Sequence, residues 1–317
     1  MVNIRIGVIN SMRRFAFPAV QDGLKIALQW AHVRVRDMES LTRKIHKVTT
    51  SGPSKLMVFA DFDMTLTSFC VNGREGCTSY GVIENSSRMP ESFREEILQV
   101  KNRYYPIEVA KDMSLEQRTQ AMVDWWKTSN DLMVKYGVRK SDIKEMVAEA
   151  NLALRPKTRE VFSLLEQHSI PLYVLSAGLA DVIHEVFLQQ SRLWTNMHII
   201  SNSLLCDERG VAIGFSEPLI HTFNKHHVTE FFKEDFKETV HRANVLLLGD
   251  SQGDPSMTDG INGTNSHSII KIGFLNHHED ELLSRYMELY DVVLTGDGDM
   301  AFVHTMLQAL LQHSTTA

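Results

Sequence analysis

The chain has 317 residues, 43% hydrophobic and 23% charged, the balance of an ordinary globular protein with core enough for one large domain or two smaller ones. Its net charge is −6, so no basic field invites a nucleic-acid polymer, and no apolar run approaches the roughly 18 residues of a membrane helix. Three cysteines, Cys70, Cys77 and Cys206, with no CxxC pair, indicate neither a disulfide framework nor a zinc site and fit idle thiols in a reducing compartment.

Residues 1–21 contain Arg5, Arg13 and Arg14 and no acid, a pattern similar to a mitochondrial presequence. A surface extension leading into an N-terminal helix is the preferred reading, and the chain is expected to be cytoplasmic. "KLMVFADFD" (55–63) is the first short apolar run of the kind that makes a buried parallel strand. About a hundred almost wholly helical residues follow. Their clearest pieces are 90–105, 114–137 and 141–154; Ser114 with Gln117 fits a capping box, and Ser141 marks the start of the third. From residue 171 onward, apolar runs alternate with helical patterns: "PLYVLS" (171–176), "NVLLLGD" (244–250), "SIIKIGF" (268–274) and "YDVVLTG" (290–296). "DERGVAIGF" (207–215) reads as a hairpin turn on the sheet domain. The simplest architecture is an α/β parallel-sheet domain interrupted by a helical insertion after its first strand. There is no internal repeat or low-complexity tract.

Ligands of open parallel sheets bind beyond the carboxyl ends of the strands. Asp61 and Asp63 stand at one such end, Asp250 and Asp254 of "GDSQGD" at a second, and Ser176 of "LSAG" at a third, where it is expected to open a helix. Converging carboxylates repel one another unless a hard cation lies between them, and oxygen ligands suit Mg²⁺. Ser176 with the N–H groups of Ala177 and Gly178 would cradle a phosphate at a helix N-terminus. Singly, each piece is commonplace: a DxD is often a solvated turn, "GDSQGD" a Gly-rich turn or a calcium loop. Their order and their shared position at strand ends favour phosphoryl transfer through an aspartyl-phosphate.

"DFDMTLT", "LSAG", a downstream lysine and "GDSQGD" together resemble the haloacid dehalogenase superfamily of phosphatases. "YYPIEV", "MVDWWKTSNDLMV", "LEQHSIPLYVLSAGLADVIHEV", "LIHTFNKHH" and "LLLGDSQGDPSMTDG" resemble the cytosolic 5′-nucleotidase III, or pyrimidine 5′-nucleotidase, family over residues 33 to about 311. The resemblance implies a doubly wound Rossmann-like core (33–72 and 160–317), a helical, base-binding cap (73–159) inserted after the first motif strand, and an N-terminal extension (1–32).

It implies Asp61 as nucleophile, and Asp63 as the acid that protonates the leaving 5′-oxygen and later the base that activates water. Asp61, the main-chain carbonyl of Asp63 and Asp250 would bind Mg²⁺, with Asp254 supporting that site. Ser176 and Ala177 would hold the phosphate, and Lys225 would balance charge on phosphate and nucleophile. Glu108 and Ser129 would meet the base, and Trp126 would stack on it. A Trp at that position resembles the branch that also takes 7-methylguanosine monophosphate. Without the resemblance, Lys225 beside His226 and His227 reads equally as a solvated run, and His221, His226 and His227 lack a partner at tetrahedral spacing. The sequence departs from the family pattern at "LTSF" (66–69) and in the loop 70–89.

The expected function is therefore Mg²⁺-dependent hydrolysis of a nucleoside 5′-monophosphate by a monomer. Another small-molecule phosphatase or phosphotransferase, and a non-catalytic nucleotide-binding protein, are the alternatives. The second would be expected to lose Asp61, Asp63 or Lys225, and all three are present.

Overall fold

The computed structural model describes residues 21–108, 110, 112–227, 241–259 and 268–311. Helix α1 (Gln21–Ala27) and strand β1 (Val33–Val35) lead into α2 (Met38–Ser51) and β2 (Leu56–Ala60). A small hairpin, β3 (Cys70–Val71) with β4 (Arg74–Glu75), precedes α3 (Ser79–Glu84), α4 (Glu91–Glu108), α5 (Leu115–Lys135), α6 (Ile143–Glu149) and α7 (Thr158–Gln167). Then come β5 (Leu172–Leu179), α8 (Ala180–Gln190), β6 (Met197–Asn202), β7 (Leu204–Cys206), β8 (Ala212–Phe215) and β9 (Asn244–Gly249). The chain closes with β10 (Ser268–Leu275), α9 (Glu279–Leu289), β11 (Val292–Thr295) and α10 (Ala301–Leu311).

Seven strands form one sheet in the order β1-β11-β10-β9-β2-β5-β6, parallel throughout except for β1 at its edge. Every residue of β2 and of β9 is buried, as strands covered on both faces must be. The chain winds from β2 outward through β5 and β6, then returns to the other side of β2 for β9, β10 and β11. That reversal opens a crevice beyond the carboxyl ends of β2, β5 and β9, where the helices on the two faces diverge.

The five expected strands are all present. Two others were not anticipated: β1 is three residues long, and β6 carries His198, Ser201 and Asn202 among its six residues, so neither shows a continuous apolar run. The N-terminal stretch is packed where it is described. Leu24 and Ala27 of α1 join the core, and Trp30 lies edge-on to Phe302 at 6.5 Å between centroids.

Ser114 and Gln117 do form the capping box of α5. The helix expected over 141–154 is shorter. Lys140–Asp142 is a 3-10 turn and α6 stops at Glu149. Ser141 does not cap it; its hydroxyl donates to Asp142 instead. Residues 153–155 leave helical geometry because their backbone bonds run to the loop after β2: Ser68 N–H donates to Ala153 and Arg155 N–H to Leu66, both at 2.9 Å. The 207–215 hairpin also exists, but β7 and β8 make their own two-stranded sheet. It docks on the C-terminal end of α5 through Ala212 N–H to Val138 (2.8 Å) and Lys140 N–H to Gly210 (2.9 Å).

Candidate active site

β2 delivers Asp61 into the crevice, and its N–H is held by the Leu248 carbonyl of β9 at 3.0 Å. Two residues on, the chain turns sharply, with Met64 in the left-handed region (φ 59°). The two carboxylates have different partners. Asp61 Oδ1 accepts from Lys225 Nζ at 2.6 Å, and the same ammonium donates to Asp254 Oδ1 at 2.7 Å. The other oxygen of Asp254 accepts the N–H groups of Asp250 (3.0 Å) and Ser251 (2.8 Å), which closes the β9 loop around it. Asp250 Oδ1 accepts from Thr65 Oγ1 at 3.0 Å.

Asp61, Asp250 and Asp254 offer oxygens that all lie within 4.8 Å of one another. Both oxygens of Asp254 are committed to protein donors. Asp61 and Asp250 each keep one oxygen with no donor among the described residues. One ammonium among three carboxylates leaves negative charge over, and an all-oxygen donor set with that deficit fits a hard divalent cation.

Burial pushes Asp61 up to about 7; Lys225 pulls the value back and Asp254 adds to it. Asp250 is raised well above the carboxylate range, first by burial and then by Asp254 and Asp61. Burial alone would lower the Lys225 ammonium, yet Asp254 and Asp61 hold it well above its usual value. Lys225 is 5% exposed, so it is no surface lysine.

Asp63 is held by a residue that the sequence did not single out. Ser79, at the start of α3, gives its N–H to Oδ1 and its hydroxyl to Oδ2, each at 2.7 Å. Burial raises Asp63 to about 6 while these two bonds pull it down.

"LSAG" is placed at the crevice but not at a helix start. β5 runs on to Leu179 through an irregularity in its pairing with β6, and α8 begins only at Ala180. Within this bulge Gly178 N–H is taken by Ser176 Oγ at 2.9 Å. The Ala177 carbonyl accepts Asn202 Nδ2 and Trp126 Nε1, both at 2.9 Å. Asn202 also exchanges two 2.8 Å bonds with the backbone of Ile220, and so ties the Ser176 loop to the segment that leads to Lys225.

Three insertion residues reach the crevice to different degrees. Trp126 joins it directly, through the Ala177 carbonyl. Glu108, at the end of α4, accepts Thr222 Oγ1 at 2.9 Å, three residues before Lys225; burial raises its pKa, against Thr222 and Arg118. Ser129 lies one turn beyond Trp126 on the same face with Met122 and Met133, all three buried, and its hydroxyl has no partner among the described residues. Trp125, on the adjoining face, stacks on Tyr104 at 6.2 Å. His221, His226 and His227 form no group able to hold a metal; the acidic trio is the one such group among the described residues.

Sequence reasoning missed Ser79, Thr65, Asn202, Tyr286 and Tyr290, whose roles are set by tertiary contact. Tyr286 and Tyr290 donate to the carbonyls of Asp250 and Ser251 from α9 and the residue after it. It also missed Arg155, fully buried beneath the β2 loop. Its guanidinium donates to the carbonyls of Thr65 (2.8 Å), Met64 (2.6 Å) and Gly298 (2.6 Å) and to Asn276 and Asp297.

A doubly wound α/β core with an acidic cluster and lysine at its strand tips and helices inserted after the first motif strand defines a hydrolase of the haloacid dehalogenase class. The chain belongs to the family described as Pyrimidine 5′-nucleotidase (UMPH-1), whose pattern matches residues 64–311. It is 35% identical over 287 residues to the 7-methylguanosine phosphate-specific 5′-nucleotidase of Gallus gallus, covering 90% of this chain and 99% of that one. The protein of the same name from Homo sapiens is 36% identical over 278 residues, 88% of this chain and 90% of that. Among solved structures, cytosolic 5′-nucleotidase IIIB bound to cytidine superposes with a TM-score of 0.84 at 32% identity, over 92% of this chain and 97% of that one.

Proposed function

We propose that the protein hydrolyses nucleoside 5′-monophosphates, CMP and 7-methylguanosine monophosphate among them, to nucleoside and phosphate through an acyl phosphate on Asp61. The observation that carries this is the Asp61–Lys225–Asp254 chain of bonds at 2.6 and 2.7 Å, which aims one buried carboxylate into the crevice beside a fixed ammonium. An Asp61 oxygen attacks phosphorus while the P–O5′ electron pair departs with the nucleoside, and Asp63 supplies the proton that this oxygen needs. Asp63 then takes a proton from water as the water attacks the phosphorus of the acyl phosphate, which restores Asp61 and releases phosphate. Lys225 neutralises the attacking carboxylate and the equatorial phosphate oxygens, and the Ser176–Ala177 bulge seats the phosphoryl group.

Asp61, Asp250 and the Asp63 carbonyl would hold Mg²⁺, with Asp254 orienting the β9 loop behind them. Bound there, the cation would screen the charge that builds on the transferring group. Glu108 and Ser129 face the base, and a relative solved with cytidine and two named for 7-methylguanosine phosphate support both substrate kinds. In this reading the helices between β2 and β5 are the base-binding part. No described helix is long and apolar enough to cross a membrane, and a cytosolic location agrees with the solved relative's name.

Phosphate release from a panel of nucleoside monophosphates, with Mg²⁺, with Ca²⁺ and after chelation, tests the reading. Turnover on CMP and 7-methylguanosine monophosphate, reversible loss on chelation and little rate in Ca²⁺ are expected. In Asp250→Ala the Mg²⁺ concentration for half-activity should rise. AMP as best substrate, or equal rates in Ca²⁺ and Mg²⁺, would overturn it.

A further inference from the structure

We propose that Ser79 is the positioning residue for Asp63, gripping both carboxylate oxygens so that protonation of the leaving group depends on where helix α3 sits. This rests on the acid–base role given to Asp63 above. Ser79 is not needed to start its own helix: Thr78 is the N-cap, and its side chain accepts the Gly81 N–H at 3.1 Å. Ser79 is instead turned out of the helix, wholly buried, onto Asp63.

Its hydroxyl is fixed in direction. The oxygen accepts the Leu179 N–H at 3.3 Å, and its single proton goes to Asp63 Oδ2. The two Ser79 bonds use one lone pair on each Asp63 oxygen, which leaves the others to exchange a proton with substrate or water. The Ser176–Leu179 bulge is shaped around this contact. A Cβ at Gly178 would lie 1.9 Å from Ser79 Oγ and 3.1 Å from Asp63 Oδ2, so only glycine admits the serine there.

The grip also connects Asp63 to the base side of the crevice. Tyr80, the next residue, lies edge-on to Trp126 at 6.1 Å and donates to Asn130 of α5 at 3.0 Å. A shift of α5 on engaging a base would therefore move Ser79 with it, and aim the acid only when a substrate is seated.

The test compares CMP with its analogue carrying sulfur in place of the bridging 5′-oxygen. The oxygen must be protonated as it leaves, whereas a thiol with a pKa of about 8.5 departs as thiolate. Nucleoside release is followed in a single turnover, before the acyl phosphate on Asp61 breaks down. Ser79→Ala should slow CMP by about 10–10²-fold, a part of the 10²–10⁴ that general acids supply, and slow the sulfur analogue less than about threefold. Ser79→Cys keeps the shape with a weaker donor and should show the same discrimination to a smaller degree; it carries the test if the alanine variant does not fold. Equal losses on both substrates, or none on either, would overturn the proposal. Asp63→Asn is run beside it: discrimination there without discrimination in Ser79→Ala removes Ser79 alone, and its absence in Asp63→Asn removes the reading of Asp63 itself.

Discussion

The two carboxylates of the β2 tip are two residues apart, yet they belong to different regions of the molecule. Asp61 is held wholly by the core: a β9 carbonyl on its N–H, and on its side chain Lys225, whose ammonium is shared with Asp254. Asp63 is held by α3, the first helix of the insertion. The core side is built from strand tips fixed by ladders on both sides, and it carries the charges that must not move during bond formation. The insertion side is built from helices that pack into the same hydrophobic core and reach the crevice through polar contacts, Trp126 to Ala177, Glu108 to Thr222, and Ser79 to Asp63 and Leu179.

The comparison predicts unequal damage from the two sides. Asp61→Asn should remove turnover by roughly 10⁴-fold or more with the fold intact, because an amide cannot form the acyl phosphate; phosphate release and circular dichroism check both halves. Substantial Mg²⁺-dependent activity in that variant would break the assignment.

Arg155→Ala should be the costliest for stability. It leaves Asp297 and four other acceptors, on Met64, Thr65, Asn276 and Gly298, without their cation, a loss of about 3–5 kcal/mol in urea unfolding for one partner of a buried pair. A change below about 1 kcal/mol would mean that water replaces the guanidinium.

On the insertion side, Trp126→Ala should weaken 7-methylguanosine monophosphate more than CMP. The cationic base gains about 0.5–2 kcal/mol over an indole face, or about 2–30-fold in kcat/KM, that a neutral pyrimidine does not. Trp126→Phe keeps a ring but loses the bond to Ala177, so it separates stacking from tethering. Equal loss of both substrates in the alanine variant would dismiss the stacking role.

The smallest effect concerns Glu84, at the end of α3, which burial raises from 4.5 to about 7 against the pull of Lys101. The folded state binds the proton more tightly than the unfolded one, so stability falls as pH rises from about 4.5 towards 7, and the cost is fully present above that. Glu84→Gln should therefore raise Tm at pH 8 and do progressively less towards pH 5, at about 2–4 °C for each kcal/mol recovered. A shift independent of pH would show that the carboxylate is solvated.

What the sequence determined by itself was local and periodic. Unbroken apolar runs specified β2, β5, β9, β10 and β11, since a strand buried on both faces admits little else. The Ser114–Gln117 pair specified the start of α5, and "DFD", "SAG" and "GDSQGD" specified which strand tips carry Asp61, Ser176 and Asp250. What tertiary structure alone decided were the meetings between segments. Nothing in "TSYGVIE" says that its serine will reach Asp63 rather than cap its helix. The β5 bulge that delays α8 to Ala180 arises from pairing with β6 and from close approach to Ser79, both remote in sequence. Arg155 follows the helix expected over 141–154; it is a buried clamp because residues 153–155 pair with the loop after β2 instead of continuing α6. Hydrogen bonds within a few residues leave a pattern that can be read along the chain. Bonds across ninety residues or more, such as Arg155 to Thr65 and Lys225 to Asp61, are set by where the sheet and the insertion bring the segments together.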